Sequence, residues 1–480
     1  MSIKNLKYQT IRDWEGKIKK ITQKDFVETT GNGQYHPPEG ALVFQDGHSD
    51  VAYFVGGARH KKPAHWNMAD TMFRVTLTQL DDKKTYSIGS FELINHSVSK
   101  TSSAPKLAFA SSLTIEASKS KLLAFSVNGK SLDLREQGMS LSNEIHIYET
   151  MAPLYTTYRT TTIRTPDRAR QVPVLSKRTG ILQLGSVPPA MYASTITSLR
   201  MNKPSKGVAV LVGGNKLSNV DTTPIQIMIG LKDIWKEESS GVIYTLNYDL
   251  DESSFIWEKI SLQISPRAHH STMIVGYKLY IFGGTDYTTE LRHDIRPLVI
   301  DTVHWIKLIC IVEDDFPDKF LSGHGFLQID DNRCVVVGGY NTLIGREKDI
   351  PTDELIQITV DEQEKVTIET LALGSGPIAQ SLLINTPEED QFILAGGTQE
   401  RWALISNHVA PAVPCALNQK KKCVLMINPE TYIQDTVNWL GCDGPCDRWF
   451  HIPCVRISPE EFVIISKRKK WFCNMSDCKK

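Results

Sequence analysis

Short apolar runs that end in a glycine pair recur along the chain. They are Val51–Gly57 (VAYFVGG), Val208–Gly214 (VAVLVGG), Leu279–Gly284 (LYIFGG), Cys334–Gly339 (CVVVGG) and Phe392–Gly397 (FILAGG). A weaker copy, Leu122–Gly129 (LLAFSVNG), carries Asn-Gly in place of Gly-Gly. Each run is preceded, 17 to 24 residues earlier, by a proline: Pro38, Pro105, Pro189, Pro266, Pro317 or Pro377. Between proline and glycines come one apolar run, a polar turn and a second apolar run, clearest in His269–Val275, Gly276–Tyr277 and Lys278–Phe282. Two short strands joined by a tight turn satisfy this pattern. A third strand is expected after the glycines and a Trp-bearing fourth after that, as in Val242–Asp249 with Trp257 and Arg296–Asp301 with Trp305. Phe73–Leu77 and Leu355–Val360 are further third-strand candidates.

Six copies of a four-stranded unit predict a mainly β protein built as a six-bladed β-propeller. The glycines would turn the chain with φ > 0 near the crowded axis, where no Cβ fits, and the Trp would pack between blades. The sixth copy has room for one strand after its glycines, Arg401–Asn407. Its missing strand is expected from the N-terminus, where Tyr8–Ile18 carries Trp14.

The 480 residues carry 54 Lys plus Arg and 54 Asp plus Glu, which excludes a uniformly basic nucleic-acid coat and an acidic disordered chain. No window reaches the ~18 apolar residues that span a bilayer, and Met1–Lys7 lacks a signal-peptide core, so a soluble intracellular protein without membrane partners is expected.

Seven of the nine cysteines lie between Cys415 and Cys478, together with His451. A secreted disulfide framework would spread them more widely, whereas clustering with a histidine suggests zinc. The donors Cys415, Cys423, Cys442, Cys446, His451, Cys454, Cys473 and Cys478 fill two tetrahedral sites with none left over. A cross-braced arrangement gives Cys415, Cys423, His451 and Cys454 one structural zinc, and Cys442, Cys446, Cys473 and Cys478 the other. Four-ligand sites of this kind hold a small fold together and leave no open position for catalysis. The expected division is a propeller over 1–408, a linker over 409–414 and a zinc finger over 415–480.

The stretch from Trp439 to Cys454, with its Trp-Phe-His triplet at 449–451, and the closing Trp471-Phe-Cys473 resemble a plant homeodomain (PHD) finger. The spacing departs from the family in its first and last ligand pairs, seven and four residues apart where two is usual. The resemblance implies that Trp449 is one wall of a methyl-lysine cage, Trp439 a second and Tyr432 a third. Ring faces attract a quaternary ammonium by cation–π forces. The histone tail would add to the edge strand at Thr436–Gly441.

A kelch-like propeller followed by such a finger resembles the recombination-activating protein 2 family, the accessory subunit of V(D)J recombinase. Ser186–Lys216, Leu141–Tyr148 and Cys334–Tyr340 carry the likeness as short islands. That family's vertebrate members place a long acidic hinge before the finger. Here 17 residues separate Gly397 from Cys415 and include one acid, Glu400, which suggests an invertebrate or transposon-type relative. The resemblance implies a nuclear, non-catalytic subunit of a recombinase or transposase. Its partners would be a catalytic subunit similar to recombination-activating protein 1, in a 2:2 hetero-tetramer, DNA, and histone H3 methylated at its fourth residue.

No nucleotide-binding, zinc-protease or serine-hydrolase motif is present, and His269-His270 and Asp314-Asp315 are expected to be structural. From Cys415 onward 11 basic and 7 acidic residues give +4, so residues 1–414 carry −4. The basic clusters Lys17–Lys24, His60–Lys62, Arg164–Arg170, Lys177-Arg178, Lys420–Lys422 and Lys467–Lys470 are local phosphate-contact candidates. Two competing readings are a kelch-propeller chromatin scaffold or adaptor, and a propeller enzyme such as a glycan oxidase.

Overall fold

The computed structural model describes residues 7–10, 37–62, 65–68, 72–79, 86–93, 95–96, 107–119, 121–133, 138–151, 174–176, 181–203, 205–219, 235–289, 291–314, 316–317, 319–341, 350–352, 354–372, 379–388, 391–397, 401–406, 439–441 and 449–451. Apart from the last two segments these form a β-propeller. Five blades of at least four strands, and not the expected six, are each folded from one continuous stretch of chain, with strands running in order from axis to rim. Blade 1 is Leu42–Phe44, Val51–Val55, Met72–Gln79 and Tyr86–Leu93. Blade 2 is Ser111–Ala117, Leu122–Val127, Ile145–Met151 and Val174–Ser176. Blade 3 is Thr195–Lys203, Lys206–Val212, Val242–Asp249 and Ser254–Gln263. Blade 4 is Ser271–Val275, Lys278–Phe282, Leu298–Asp301 and Ile306–Leu308. Blade 5 is Gly325–Gln328, Arg333–Val337, Glu354–Val360 and Lys365–Ala372. A further sheet is composite: Ser381–Asn385, Gln391–Gly396 and Arg401–Ser406 pair with the N-terminal strand Lys7–Thr10, Tyr8 opposite Ile405. Trp14 lies outside the described residues.

The second strands read as continuous apolar runs because both of their faces are covered. Val51–Val55 is buried at all five positions. Each junction between neighbouring sheets holds one apolar cluster. Phe44 meets Tyr148 between blades 1 and 2 at 4.8 Å between ring centroids. Phe125 and Ile147 meet Leu246 and Trp257 between blades 2 and 3. Val210 and Ile243 meet Ile281 and Ile300 next, then Tyr280 and Phe282 meet Val336 and Ile356. Val335 and Val337 meet Leu383 and Leu394, and Ile384 and Ile393 return to Ala52 and Phe54 of blade 1. A buried aromatic or large aliphatic contributes about 1.5–3 kcal/mol, so these junctions dominate the ring's stability. Trp257 lies on its strand, but Trp305, expected on a fourth strand, occupies the preceding turn with φ +56°. It still packs on the cluster between blades 3 and 4.

The glycine pairs have two separable roles. At Gly213 (φ +59°) an added Cβ would lie 2.4 Å from the carbonyl oxygen of Arg267 in the next blade. At Gly214 (φ +105°) it would lie 2.9 Å from Cβ of Ser194 in the same blade. The first glycine therefore admits the neighbouring blade's backbone and the second its own blade's entry segment. The chain then departs from the expected order. A hairpin intervenes between second and third strands: Ala58–Lys62 with His65–Met68, Lys130–Asp133 with Gly138–Leu141, Asn215–Asn219 with Trp235–Ser239, Thr285–Asp286 with Leu291–Arg292, and Tyr340–Asn341 with Ile350–Pro351. The pairs are too short or too polar to leave a two-residue hydrophobic period.

One residue before each first strand lies on the axis in a left-handed conformation. Gly40, Phe109, Ala193, His269, Gly323 and Gln380 have φ between +53° and +66°. Their peptides form a chain of hydrogen bonds around the axis. The N–H of Phe109 donates to Gly40 O (2.8 Å), Ala193 to Phe109 (2.7 Å), His269 to Ala193 (3.0 Å), Gly323 to His269 (3.0 Å) and Gln380 to Gly323 (2.7 Å). Between the composite sheet and blade 1, Gln45 Nε2 donates to Asn385 O (2.8 Å) while Asn385 N donates to Gln45 Oε1 (2.7 Å).

Side chains just behind the axial residues latch adjacent blades. Ser111 Oγ bonds Ser194 Oγ (2.6 Å), Thr195 Oγ1 bonds His270 Nε2 (2.9 Å) and Ser271 Oγ bonds His324 Nε2 (2.8 Å). The expectation of a fully satisfied His270 is half met, because Nδ1 of both His270 and His324 lacks a hydrogen-bond partner among the described residues. Burial pushes the His324 pKa down to about 4 and that of His270 well below its usual value, with Arg267 adding to the latter. Below pH ~6.5 the unfolded chain binds protons that the folded ring refuses. Stability is therefore full above about pH 6.5 and falls as the pH drops toward 4, by about 3 kcal/mol from His324 alone. Chemical denaturation at pH 7 and pH 5 should show this loss, and His324→Gln should flatten the pH dependence.

Candidate functional site

The finger residues are described as a two-stranded antiparallel ribbon. Trp439 is opposite His451, Leu440 opposite Phe450 and Gly441 opposite Trp449. The strand period of two then puts positions 439, 441, 449 and 451 on one face of the ribbon, with 440 and 450 on the other. Trp439 and Trp449 thus occupy diagonal positions on a shared face. Trp439–Gly441 falls in the expected edge strand Thr436–Gly441 and runs directly into Cys442. Cys415, Cys423, Cys442, Cys446, Cys454, Cys473, Cys478 and Tyr432 lie outside the described residues. The donor set, seven thiols and one imidazole, has the soft chemistry that suits zinc and not calcium or magnesium.

A second constellation, which the sequence did not reveal, gathers at the axial mouth on the side of the hairpins. It comprises Phe109 and Lys130 from blade 2, Tyr192, Asn215, Glu237 and Ser239 from blade 3, and His269 and Tyr287 from blade 4. Phe109, Tyr192 and His269 contact edge-on at 5.6–6.4 Å, and Tyr287 reaches His269 at 6.0 Å. The Lys130 ammonium stands 3.7 Å above the Tyr192 ring and 3.5 Å from Glu237. Tyr192 donates its hydroxyl proton to Glu237 and accepts from Asn215 Nδ2 (3.1 Å). Burial lowers the Lys130 pKa and Glu237 opposes that shift, while burial and then Glu237 raise that of Tyr192. Together these contacts hold a buried ammonium between a ring face and a carboxylate.

The repeat shows which residues are exceptional here. Residues Leu107, Met191 and Leu321 accept a backbone bond from the second glycine position of the preceding blade, and Arg267 does so in blade 4. All four are buried, so a guanidinium occupies a place that other blades fill with hydrocarbon. Arg267 is satisfied by carbonyls, with Nη1 donating to Gly283 O (3.2 Å) and Nε to Ser265 O (3.3 Å). Lys130 likewise stands where other blades have Ala58, Asn215, Thr285 or Tyr340. Such departures are invisible until the copies are superposed.

Among the earlier candidates, His60–Lys62 falls in the hairpin strand Ala58–Lys62 of blade 1 and Asp314 in a turn. Asp315 and the other basic clusters lie outside the described residues. No helix among the described residues is long and apolar enough to cross a membrane.

Comparison with known proteins gives one family match: residues 433–476 match the PHD-finger family. The matched span contains Cys442, Cys446, His451, Cys454 and Cys473, while Cys415, Cys423 and Cys478 fall outside it. Among solved structures, the chain is similar to one in the cryo-EM structure of RAG in complex with one melted and one unmelted RSS. The identity is 14% and the TM-score 0.45, covering 78% of this chain and 96% of that one. It is equally similar to YjhT, at 14% identity and TM-score 0.45, covering 77% and 95%. At that distance neither likeness separates one function from another. The chain is therefore a β-propeller protein that carries a PHD finger at residues 433–476.

Proposed function

We propose that the chain is a non-catalytic accessory subunit of a DNA recombinase or transposase, similar to the recombination-activating protein 2 family. The six sheets form a closed kelch-like ring over residues 1–408, joined by 409–414 to a finger over 415–480. The ring binds a catalytic subunit resembling recombination-activating protein 1 and helps it hold DNA, in a 2:2 assembly in the nucleus. The finger binds two structural zinc ions through Cys415, Cys423, His451 and Cys454, and through Cys442, Cys446, Cys473 and Cys478. It reads histone H3 methylated at its fourth residue, with Trp449, Trp439 and Tyr432 as cage walls.

The observation that carries the finger's role is the ribbon register, which gives Trp439 and Trp449 one shared face beside an edge strand. The blade passages quoted above support the recombinase assignment. On a peptide array the full chain should prefer the trimethylated tail, and Trp449→Ala should weaken that binding about tenfold, the ~1.4 kcal/mol of one desolvated cation–π face. Equal binding of methylated and unmodified tails by the unsubstituted chain overturns the cage. A pull-down followed by a DNA-cleavage assay with and without this chain tests the recombinase assignment.

A further inference from the structure

The rim of blade 4 differs from its neighbours in two independent ways. Three blades carry an extra parallel strand on their outermost strand, donated by the linker that enters the blade. Asn95–His96 covers Val174–Ser176, Leu182–Gly185 covers Ser254–Gln263, and Ile311–Val312 covers Lys365–Ala372. The linker into blade 4 cannot do this. Its residues 264–270 run straight to the axis, with Ile264 N donating to Gly241 O (3.0 Å) and Arg267 N to Ser240 O (3.1 Å). Among the described residues, the rim strand Ile306–Leu308 has a single neighbour, Leu298–Asp301.

The exposed apolar surface concentrates at this same edge. Among the described residues, four of the eight exposed large apolar residues are Tyr277, Val303, Ile306 and Ile309. Thr302 Oγ1 donates to Tyr277 O (2.7 Å), so the Tyr277 and Val303 turns lie side by side. Ile309, 95% exposed, follows the open strand directly. Lys307 is exposed in the middle of that strand and makes no ion pair among the described residues. Contiguous exposed apolar groups beside an unpaired strand edge mark an interaction surface, and such an edge recruits further strands.

We propose that the rim of blade 4 is a docking site for an extended segment of a partner protein. The segment adds parallel to Ile306–Leu308, as this chain's own linkers do on blades 2, 3 and 5. Backbone hydrogen bonds supply the pairing, and alternate side chains select the sequence. Apolar residues three positions apart cover Ile306 and Ile309, and an acidic residue directly after the first pairs with Lys307 on the other face.

The test pans a phage-displayed random dodecamer library on the full chain and measures the enriched peptides in solution. Enriched peptides should carry an apolar residue followed directly by an acidic one and a second apolar residue two positions later, and should slow amide exchange at Ile306–Leu308 at least tenfold. Ile306→Asp and Ile309→Asp should each weaken binding at least tenfold, whereas Leu184→Asp on the covered rim of blade 3 should not. Lys307→Glu should turn the acidic preference into a basic one, a readout that survives even if Ile306→Asp lowers the melting temperature. Absence of enriched peptides, or binding indifferent to Ile306→Asp, Ile309→Asp and Lys307→Glu, overturns the proposal. A concentration-dependent dimer dissolved by Ile309→Asp also overturns it, because the occupant is then a second copy.

Discussion

Gly283→Ala should lower the stability of the ring by about 4 kcal/mol, a melting-temperature drop of roughly 5 °C. Gly283 has φ +59°, which costs an alanine about 1–2 kcal/mol before any contact is considered. The new Cβ would also lie 2.3 Å from Leu321 O and 3.3 Å from His324 Cε1. Neither neighbour can move cheaply. Leu321 O accepts from Gly284 N at 2.7 Å, and the His324 ring is fixed by Ser271. Gly276→Ala is the matched control. Its φ is +58° but its Cβ would meet nothing within 4 Å, so only the backbone penalty of about 1–2 kcal/mol should appear. Thermal unfolding of the two variants separates conformational strain from steric exclusion, and equal shifts would refute the two-part role of the glycine.

Chelation should unfold the finger outright and leave the propeller folded. Structural zinc supplies about 10–16 kcal/mol of apparent binding free energy in finger peptides at neutral pH, far more than a segment this short gains from apolar burial. After treatment with a strong chelator, protease should cut the full chain within 415–480, while the ring keeps its melting transition. Metal analysis before treatment should return two zinc ions per chain. A single ion would remove the site containing Cys415 and Cys423, which fall outside the family match.

The sequence displayed the ring more clearly than its contents. Runs such as Val51–Val55 are buried on both faces, so they appear as unbroken apolar stretches, and the glycines that end them are required by the backbone. The interposed hairpins leave no signal in the sequence because strands as short as Thr285–Asp286 carry no period. The axial residues Phe109, Ala193, His269 and Gln380 share a left-handed conformation that their side chains do not advertise. Trp305 packs between blades as expected but belongs to a turn, since a strand and its flanking turn can present an indole to the same junction. At the finger, Trp439 and Trp449 were legible from the local motif, and the register added their common face. The mouth was illegible for a different reason. Lys130 and Glu237 are 107 residues apart, and only the packing of blade 3 against blade 2 brings them together.

The chain of peptide hydrogen bonds around the axis has an electrical consequence. In a helix the peptide dipoles align and leave charge at both ends. Here, from Gly40 to Gln380, they follow one another tangentially, so their contributions along the channel largely cancel. An ion approaching the mouth therefore meets a field set by side chains such as Lys130 and Glu237, superimposed on a nearly neutral scaffold. Evolution can rewrite the polarity of the opening one residue at a time without disturbing the architecture beneath it.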